Sequence, residues 1–281
     1  MEYQKFIPES WQRENYCVSG ELIKEALNDG RIITGKVIAC DSNYNLHVDF
    51  NRNLKGIIPR EEVEAMNVEE TGFPKPNICM SKVNKYVQFK VKNINKEGTI
   101  ILSRKDVGKE ALNWAINELK EGQVLKGIVK NIRPYGVFVE IGGGVVGLLR
   151  IEDISVARMK SPTERFNIED KINVMIKSID KKQERILLTH KELLGTWEDN
   201  AKKFEEGMVV NGIIRETEKA KNGIFVELQP NLVGMAEYSE NYKYGQNVNV
   251  YIKKIIPEKK KIKLAFVKES QGNLGRSIEN D

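Results

Sequence analysis

A chain of 281 residues, 40% hydrophobic and 30% charged, has the composition of a globular protein with room for two or three small cores. No apolar run approaches the length of a spanning helix, and the stretch "MEYQKFIPESWQREN" lacks the basic and apolar regions of a secretory leader. With only three scattered cysteines (Cys17, Cys40, Cys79), this predicts a reduced, cytoplasmic protein without a membrane partner, disulfide framework or zinc site. The net charge of +5 is uneven: residues 31–106 carry +4, residues 123–190 carry +4, residues 206–269 carry +3, and the remaining stretches sum to −6. Basic blocks separated by acidic connectors suggest that each block meets an anionic partner.

In chain order, residues 1–30 read as an extension that includes a helix. Three related units follow, at 31–106, 123–190 and 206–269. They open with "GKVIACDSNYNLHVDFNRNLKGIIPREEV" from Gly35, "GIVKNIRPYGVFVEIGGGVVGLLRIEDIS" from Gly127 and "GIIRETEKAKNGIFVELQPNLVGMAE" from Gly212, each with a second glycine (Gly56, Gly147, Gly234) further on. Each unit ends in an alternating pair: "YVQFKVKNIN" with "TIILSRKD", "INVMIKSID" with "RILLTHKE", and "VNVYIKKIIP" with "KIKLAF". A repeat of this length is a whole small domain rather than a solenoid unit. Period-two alternation and turn-forming tips predict five short strands per unit, which most simply close into a barrel that leaves no exposed edge.

Between the units the period changes to that of a helix. Leu112, Ala115 and Leu119 mark a linker helix over 107–122, and Leu194, Trp197, Ala201 and Phe204 mark another over 191–205. The tryptophans Trp11, Trp114 and Trp197 read as helix anchors. The third unit is abbreviated, lacking most of the crossover that holds "SVARMKSPTERF" in the second, and residues 270–281 read as a flexible polar tail.

Strand parity then sorts the side chains. In "GVFVEI" the set Val137, Val139 and Ile141 faces the core, while Phe138 and Glu140 face out. The same parity turns Phe225 outward in "GIFVEL" and His47 outward in "NLHVDF". A flat ring at one outward position of three basic β units suits an unpaired nucleic acid strand, whose bases stack on rings while cations track the phosphates.

These residues carry a resemblance. The stretch from Gly127 with "INVMIKSIDKKQERILLTHKE" resembles the S1-type RNA-binding domain, an OB-fold barrel, and three copies joined by helices resemble a short form of the tandem-repeat ribosomal proteins of bacteria that bear it. The resemblance implies an all-β chain of three tandem five-stranded OB-fold barrels joined by short α-helices. It also implies RNA contact at Tyr135, Phe138, Arg150, Asp180 and Arg185 of the second unit, the best match. Lys130 is taken with them as a basic candidate. Arg150 stands where the family usually has histidine, which keeps hydrogen bonding and adds a fixed charge. The first unit offers Tyr44, His47 and Arg60, with Asn95 and Thr99 in place of the acid and base; the third offers Phe225 and Lys261, with Asn222 and Pro257 at the other two positions. The second unit is therefore expected to dominate RNA binding.

Simpler readings stand beside these. Tyr135 could cover a turn, Phe138 could pack on a linker helix, His47 could be structural, and the run Lys259, Lys260, Lys261 and Lys263 could be a solvated hairpin tip. The glycines Gly142, Gly144 and Gly147 satisfy GxGxxG, but a strand rather than a helix follows, so a hairpin is expected. No convergent carboxylate, nucleophile or metal-ligand group stands out, and no cofactor, small-molecule substrate or catalysis is expected. The leading expectation is a non-catalytic protein that binds single-stranded messenger RNA in translation, with the small ribosomal subunit as a partner. An RNA-binding accessory factor of RNA turnover or transcription, and a protein-interaction scaffold, remain open.

Overall fold

A computed structural model of the chain describes residues 4–11, 18–50, 54–65, 68–218 and 223–267; Cys17, Asn222 and the tail 270–281 lie outside them. The chain divides into two compact units, Met1–Ile154 with Lys160–Leu193, and Ser155–Met159 with Leu194–Asp281. The first unit holds α1 (Gly20–Asp29), β1 (Ile33–Cys40), β2 (Leu46–Asp49), β3 (Lys55–Ile58), α2 (Pro76–Met80), β4 (Tyr86–Ile94) and β5 (Ile100–Ser103). It continues through α3 (Arg104–Asn117), β6 (Val124–Arg133), β7 (Gly136–Gly142), β8 (Val145–Arg150), β9 (Lys171–Asp180) and β10 (Arg185–Thr189). The second unit holds α4 (Trp197–Ala201), β11 (Val209–Glu218), β12 (Gly223–Gln229), β13 (Leu232–Glu237), β14 (Asn247–Ile256) and β15 (Lys261–Phe266).

The strands close into three five-stranded barrels of one topology, in the order β1-β2-β3-β5-β4 and its two repeats. Neighbours are antiparallel except for the third and fifth strands, which pair in parallel at Gly56↔Ile100, Leu148↔Leu187 and Met235↔Lys263. Each first strand shifts register once against its second, between Val37 and Ala39, Val129 and Asn131, and Ile214 and Glu216. An irregularity at the same place in each copy bends the strand and tightens its twist, as closing a small barrel requires.

The two glycines of each repeat have a steric reason. A Cβ on Gly127 would run into the Val139 side chain, and one on Gly147 would lie 2.7 Å from Leu188 Cδ1. The strands cross so closely there that the opposing core residue fills the space. Val137, Val139 and Ile141 are fully buried, as are Leu46, Val48 and Phe50 in barrel 1 and Ile224 and Val226 in barrel 3. Gly142, Gly143 and Gly144 all have positive φ and turn β7 into β8, the hairpin expected from the sequence.

The connectors depart from the sequence reading in extent. Helix α3 begins at Arg104 rather than 107, because the Ser103 side chain accepts a hydrogen bond from the Asp106 N–H and caps it. The second linker keeps a helical apolar period, but Gly195 takes φ +82° and splits it into a 3₁₀ turn at Lys191–Leu194 and the short α4, capped by Thr196. In the second unit, the Val156 and Ala157 N–H groups donate to Asn231 Oδ1 and the Pro230 carbonyl, both at 3.1 Å.

An irregular segment, residues 4–11, laces the first unit together. Gln4 Nε2 donates to the Ile141 carbonyl at 2.7 Å, the Ile7 N–H to Gln88 Oε1 at 3.0 Å, and the Ser10 N–H to the Tyr86 carbonyl at 3.0 Å. Phe6 is fully buried, 5.3 Å from the Trp114 ring of α3. Beneath the segment lies a buried cluster of three cations and three carboxylates. Glu9 meets Lys82 at 2.6 Å, Arg104 at 2.5 Å and Lys130 at 3.3 Å; Arg104 also meets Glu64 at 3.0 Å, and Lys130 meets Glu140 at 3.1 Å. This corrects two expectations. Glu140 has outward parity but is 1% exposed, because residues 4–11 cover it, and Lys130, expected at the RNA face, is committed to Glu9 and Glu140.

Burial opposes ionisation of Glu9, Glu140, Arg104 and Lys130, and the balance differs among these four. At Glu9 the three cations outweigh burial and hold the carboxyl well below the ordinary 4.5. At Glu140 burial, reinforced by the Glu9 charge, raises it. Arg104 and Lys130 are raised because their carboxylate partners outweigh burial.

Candidate nucleic-acid interface

On barrel 2, the β6–β7 turn and the strands β7, β8 and β10 place the predicted residues on one outer surface. Tyr135, in the turn, is 56% exposed and meets Phe138 of β7 edge to face, with centroids 6.2 Å apart and planes at 84°. Arg150 of β8 lies directly opposite Gly136 on the neighbouring strand, and its half-exposed guanidinium sits 3.7 Å from the Glu152 carboxylate. The register continues from Phe138 to Leu148 on β8 and from Leu148 to Leu187 on β10, both partly buried. These two leucines form an apolar floor beside the rings. Sequence reasoning did not single them out, although two steps of strand pairing from Phe138 lead to them.

The β9–β10 hairpin supplies the charged pair. Asp180 and Arg185 are direct cross-strand partners, both exposed. The Asp180 carboxylate accepts from the Lys182 and Gln183 N–H groups at 3.0 and 3.1 Å, which shapes the turn and holds Arg185 at its edge.

The loop carrying Arg150 is anchored from below. The Ile151 N–H donates to the Tyr135 carbonyl at 3.0 Å, tying the aromatic turn to the end of β8. Two residues on, the buried Asp153 carboxylate accepts two hydrogen bonds from Lys177 at 2.7 Å and one from Lys191 at 3.0 Å. Burial alone would raise its pKa, but the bonds from these lysines outweigh it and hold the group below its ordinary 3.8. His190 Nδ1–H donates to the Asn173 carbonyl, 2.8 Å away, and the ring packs on Phe166 with centroids 5.5 Å apart, a structural position.

Barrel 1 is arranged differently. Tyr44 sits in the β1–β2 turn with φ +64°. Asp41 accepts from the Asn45 side chain at 3.0 Å and lies 3.3 Å from His47 Nε2, so the ring expected to face RNA is partnered within the turn. Arg60 stacks on Tyr44, its Cζ 5.0 Å from the ring centre, and donates twice to the Pro74 carbonyl, at 2.9 and 3.2 Å. In barrel 3, Phe225 pairs with Met235 of β13, which pairs with Lys263 of β15; Lys261 is exposed at the start of β15. The Tyr242 and Phe266 rings stack at 3.7 Å. Barrel 2 alone brings two accessible rings, an arginine on the neighbouring strand and a cross-strand acid–base pair together among the described residues.

Among the described residues no group of His, Cys, Asp and Glu is placed to hold a metal ion, and no helix is long and apolar enough to cross a membrane. Residues 118–191 match the S1 RNA binding domain family. The chain is 29% identical over 295 residues to the small ribosomal subunit protein bS1 of Rickettsia conorii, covering 97% of this chain and 47% of the relative. It is 33% identical over 277 residues to small ribosomal subunit protein bS1 of Rhizobium meliloti, covering 88% and 48%. It is also 30% identical over 270 residues to a 4-hydroxy-3-methylbut-2-enyl diphosphate reductase of Clostridium tetani, covering 90% and 41%. The chain spans about half the length of the curated relatives it matches.

Proposed function

Starting from a chain whose residues 118–191 form an S1 RNA binding domain, we propose that it binds single-stranded RNA without catalysing a reaction, with barrel 2 as its principal site. The carrying observation is the accessible edge-to-face pair of Tyr135 and Phe138, with Arg150 paired to Gly136 on the neighbouring strand. Unpaired bases stack on the two rings and slide onto the leucine floor, while Arg150 and Arg185 meet phosphates or base edges. Stacking of this kind contributes about 1–3 kcal/mol per base and tolerates any sequence. The extra barrels raise overall affinity through effective concentration wherever they reach the same strand.

The resemblance to small ribosomal subunit proteins over most of this chain supports a cytoplasmic role in translation, with messenger RNA as the strand and the small ribosomal subunit as the partner. Fluorescence anisotropy of a labelled unstructured RNA tests the binding. Wild type binds with a steep salt dependence, and Phe138→Ala weakens it by about 1 kcal/mol or more. Binding indifferent to Phe138 overturns the assignment to barrel 2. Cosedimentation with small subunits from gently lysed cells tests the partner.

A further inference from the structure

On barrel 1 the Arg60 guanidinium touches a second ring. Its Cζ lies 5.4 Å from the centre of Phe73 as well as 5.0 Å from that of Tyr44. Phe73 is 39% exposed, a large ring left near solvent at the tip of a fixed loop. The Glu69 N–H bonds the Phe73 carbonyl at 2.8 Å, the Gly72 N–H bonds the Glu69 carbonyl at 2.8 Å, and Val68 bridges to Pro74. Two rings from separate parts of the barrel thus approach one flat group, two of whose N–H donors end on a backbone carbonyl. Among the described residues no carboxylate pairs with Arg60, so the cation is held by ring faces and a neutral acceptor alone.

We propose that Tyr44 and Phe73 form a second base-binding slot, and that Arg60 gates it by occupying it in the free protein. A guanidinium and a nucleobase share the features this place selects for: a planar π-system and N–H donors at one edge. When Arg60 swings out, the Pro74 carbonyl is left to accept a hydrogen bond. An exocyclic amino group supplies that donor, so adenine, cytosine and guanine fit the slot better than uracil. The released arginine is then free to meet the strand's phosphates. The inference rests on the RNA reading of barrel 2, because the strand held there is what reaches the slot.

The experiment uses the full chain as wild type, Arg60→Ala, Arg60→Ala with Phe73→Ala, and Lys24→Ala, an exposed residue of α1 whose loss matches the charge change. Binding of labelled oligo(A) and oligo(U) is followed by anisotropy. Arg60→Ala tightens oligo(A) roughly fivefold over wild type, as one added stacked base does, and tightens oligo(U) less; adding Phe73→Ala removes the gain. An Arg60→Ala chain that binds oligo(A) no better than Lys24→Ala overturns the gate while leaving barrel 2 binding intact. A wild type that binds neither oligomer overturns the RNA reading and the slot with it.

Discussion

Replacing Arg104 by methionine tests the buried cluster that joins barrels 1 and 2. Arg104 is 2% exposed and donates to the Val63 carbonyl at 3.0 Å, to Glu64 at 3.0 Å and to Glu9 at 2.5 Å. Methionine fills much of the volume but supplies no charge, so three buried carboxylates would face two cations. Removing one member of a buried pair costs about 3–5 kcal/mol, chiefly because its partner is left charged and dry. Lys82 and Lys130 still meet Glu9, which places the expected loss near the lower bound, about 3 kcal/mol. With a urea slope of about 2 kcal/mol/M, the midpoint falls by about 1.5 M. Intrinsic fluorescence follows the transition, since Trp114 is buried and packed on Phe6 of the segment that carries Glu9. Adding Glu9→Gln to the methionine variant restores the charge balance and recovers part of the loss. A change below about 1 kcal/mol, or no recovery on adding Glu9→Gln, refutes the assignment of uncompensated charge as the cost.

Asp153 has a folded pKa below its ordinary 3.8, so its contribution is present above that value and disappears as pH falls through the folded pKa. Acid unfolding of wild type therefore steepens below about pH 4, and Asp153→Asn, less stable at neutral pH, lacks that component when urea midpoints are compared across pH. Gly142 has φ +124° and no room for a Cβ beside the Phe6 carbonyl; Gly142→Ala costs about 1–3 kcal/mol and increases hydrogen exchange at the Ile7 and Ser10 amides. Arg185→Ala reduces the slope of log affinity against log salt by about 1 if its side chain meets a phosphate, measured with the anisotropy assay.

Much of the fold was legible because a period of two and repeated glycines are local signals. The inward set of β7 follows from alternation alone, and Gly127 and Gly147 mark where strands cross too closely for a Cβ. The outward set was less legible. Phe138 and Glu140 share parity, yet one lies half-exposed on the candidate surface and the other is buried beneath a segment more than a hundred positions earlier. No pattern within β7 reports a partner at that distance, and Lys130 was misplaced for the same reason. The split linker was a matter of weighing signals, since its apolar period was real but Gly195 interrupts it. In barrel 1 the motif positions of Tyr44 and Arg60 were visible; that they would stack on each other was not, because Phe73 and Pro74 come from a loop without a counterpart in the repeat pattern.

The lacing of residues 4–11 over β7 also sets an order of events during synthesis. Glu9 hydrogen-bonds Glu140, 131 positions later in the chain. At a translation rate of about 5–20 residues per second, the segment waits on the order of 10 s for its binding surface to be made. Within that interval Phe6 gains the Trp114 ring, and Glu9 gains Lys82, then Arg104, then Lys130, in the order in which the ribosome adds them. Barrel 1 has all its strands by Ser103, one residue before Arg104. All strands of barrel 1 are therefore made before the segment's partners Glu140 and Ile141 on β7 exist, although its partners Tyr86 and Gln88 on β4 are available earlier.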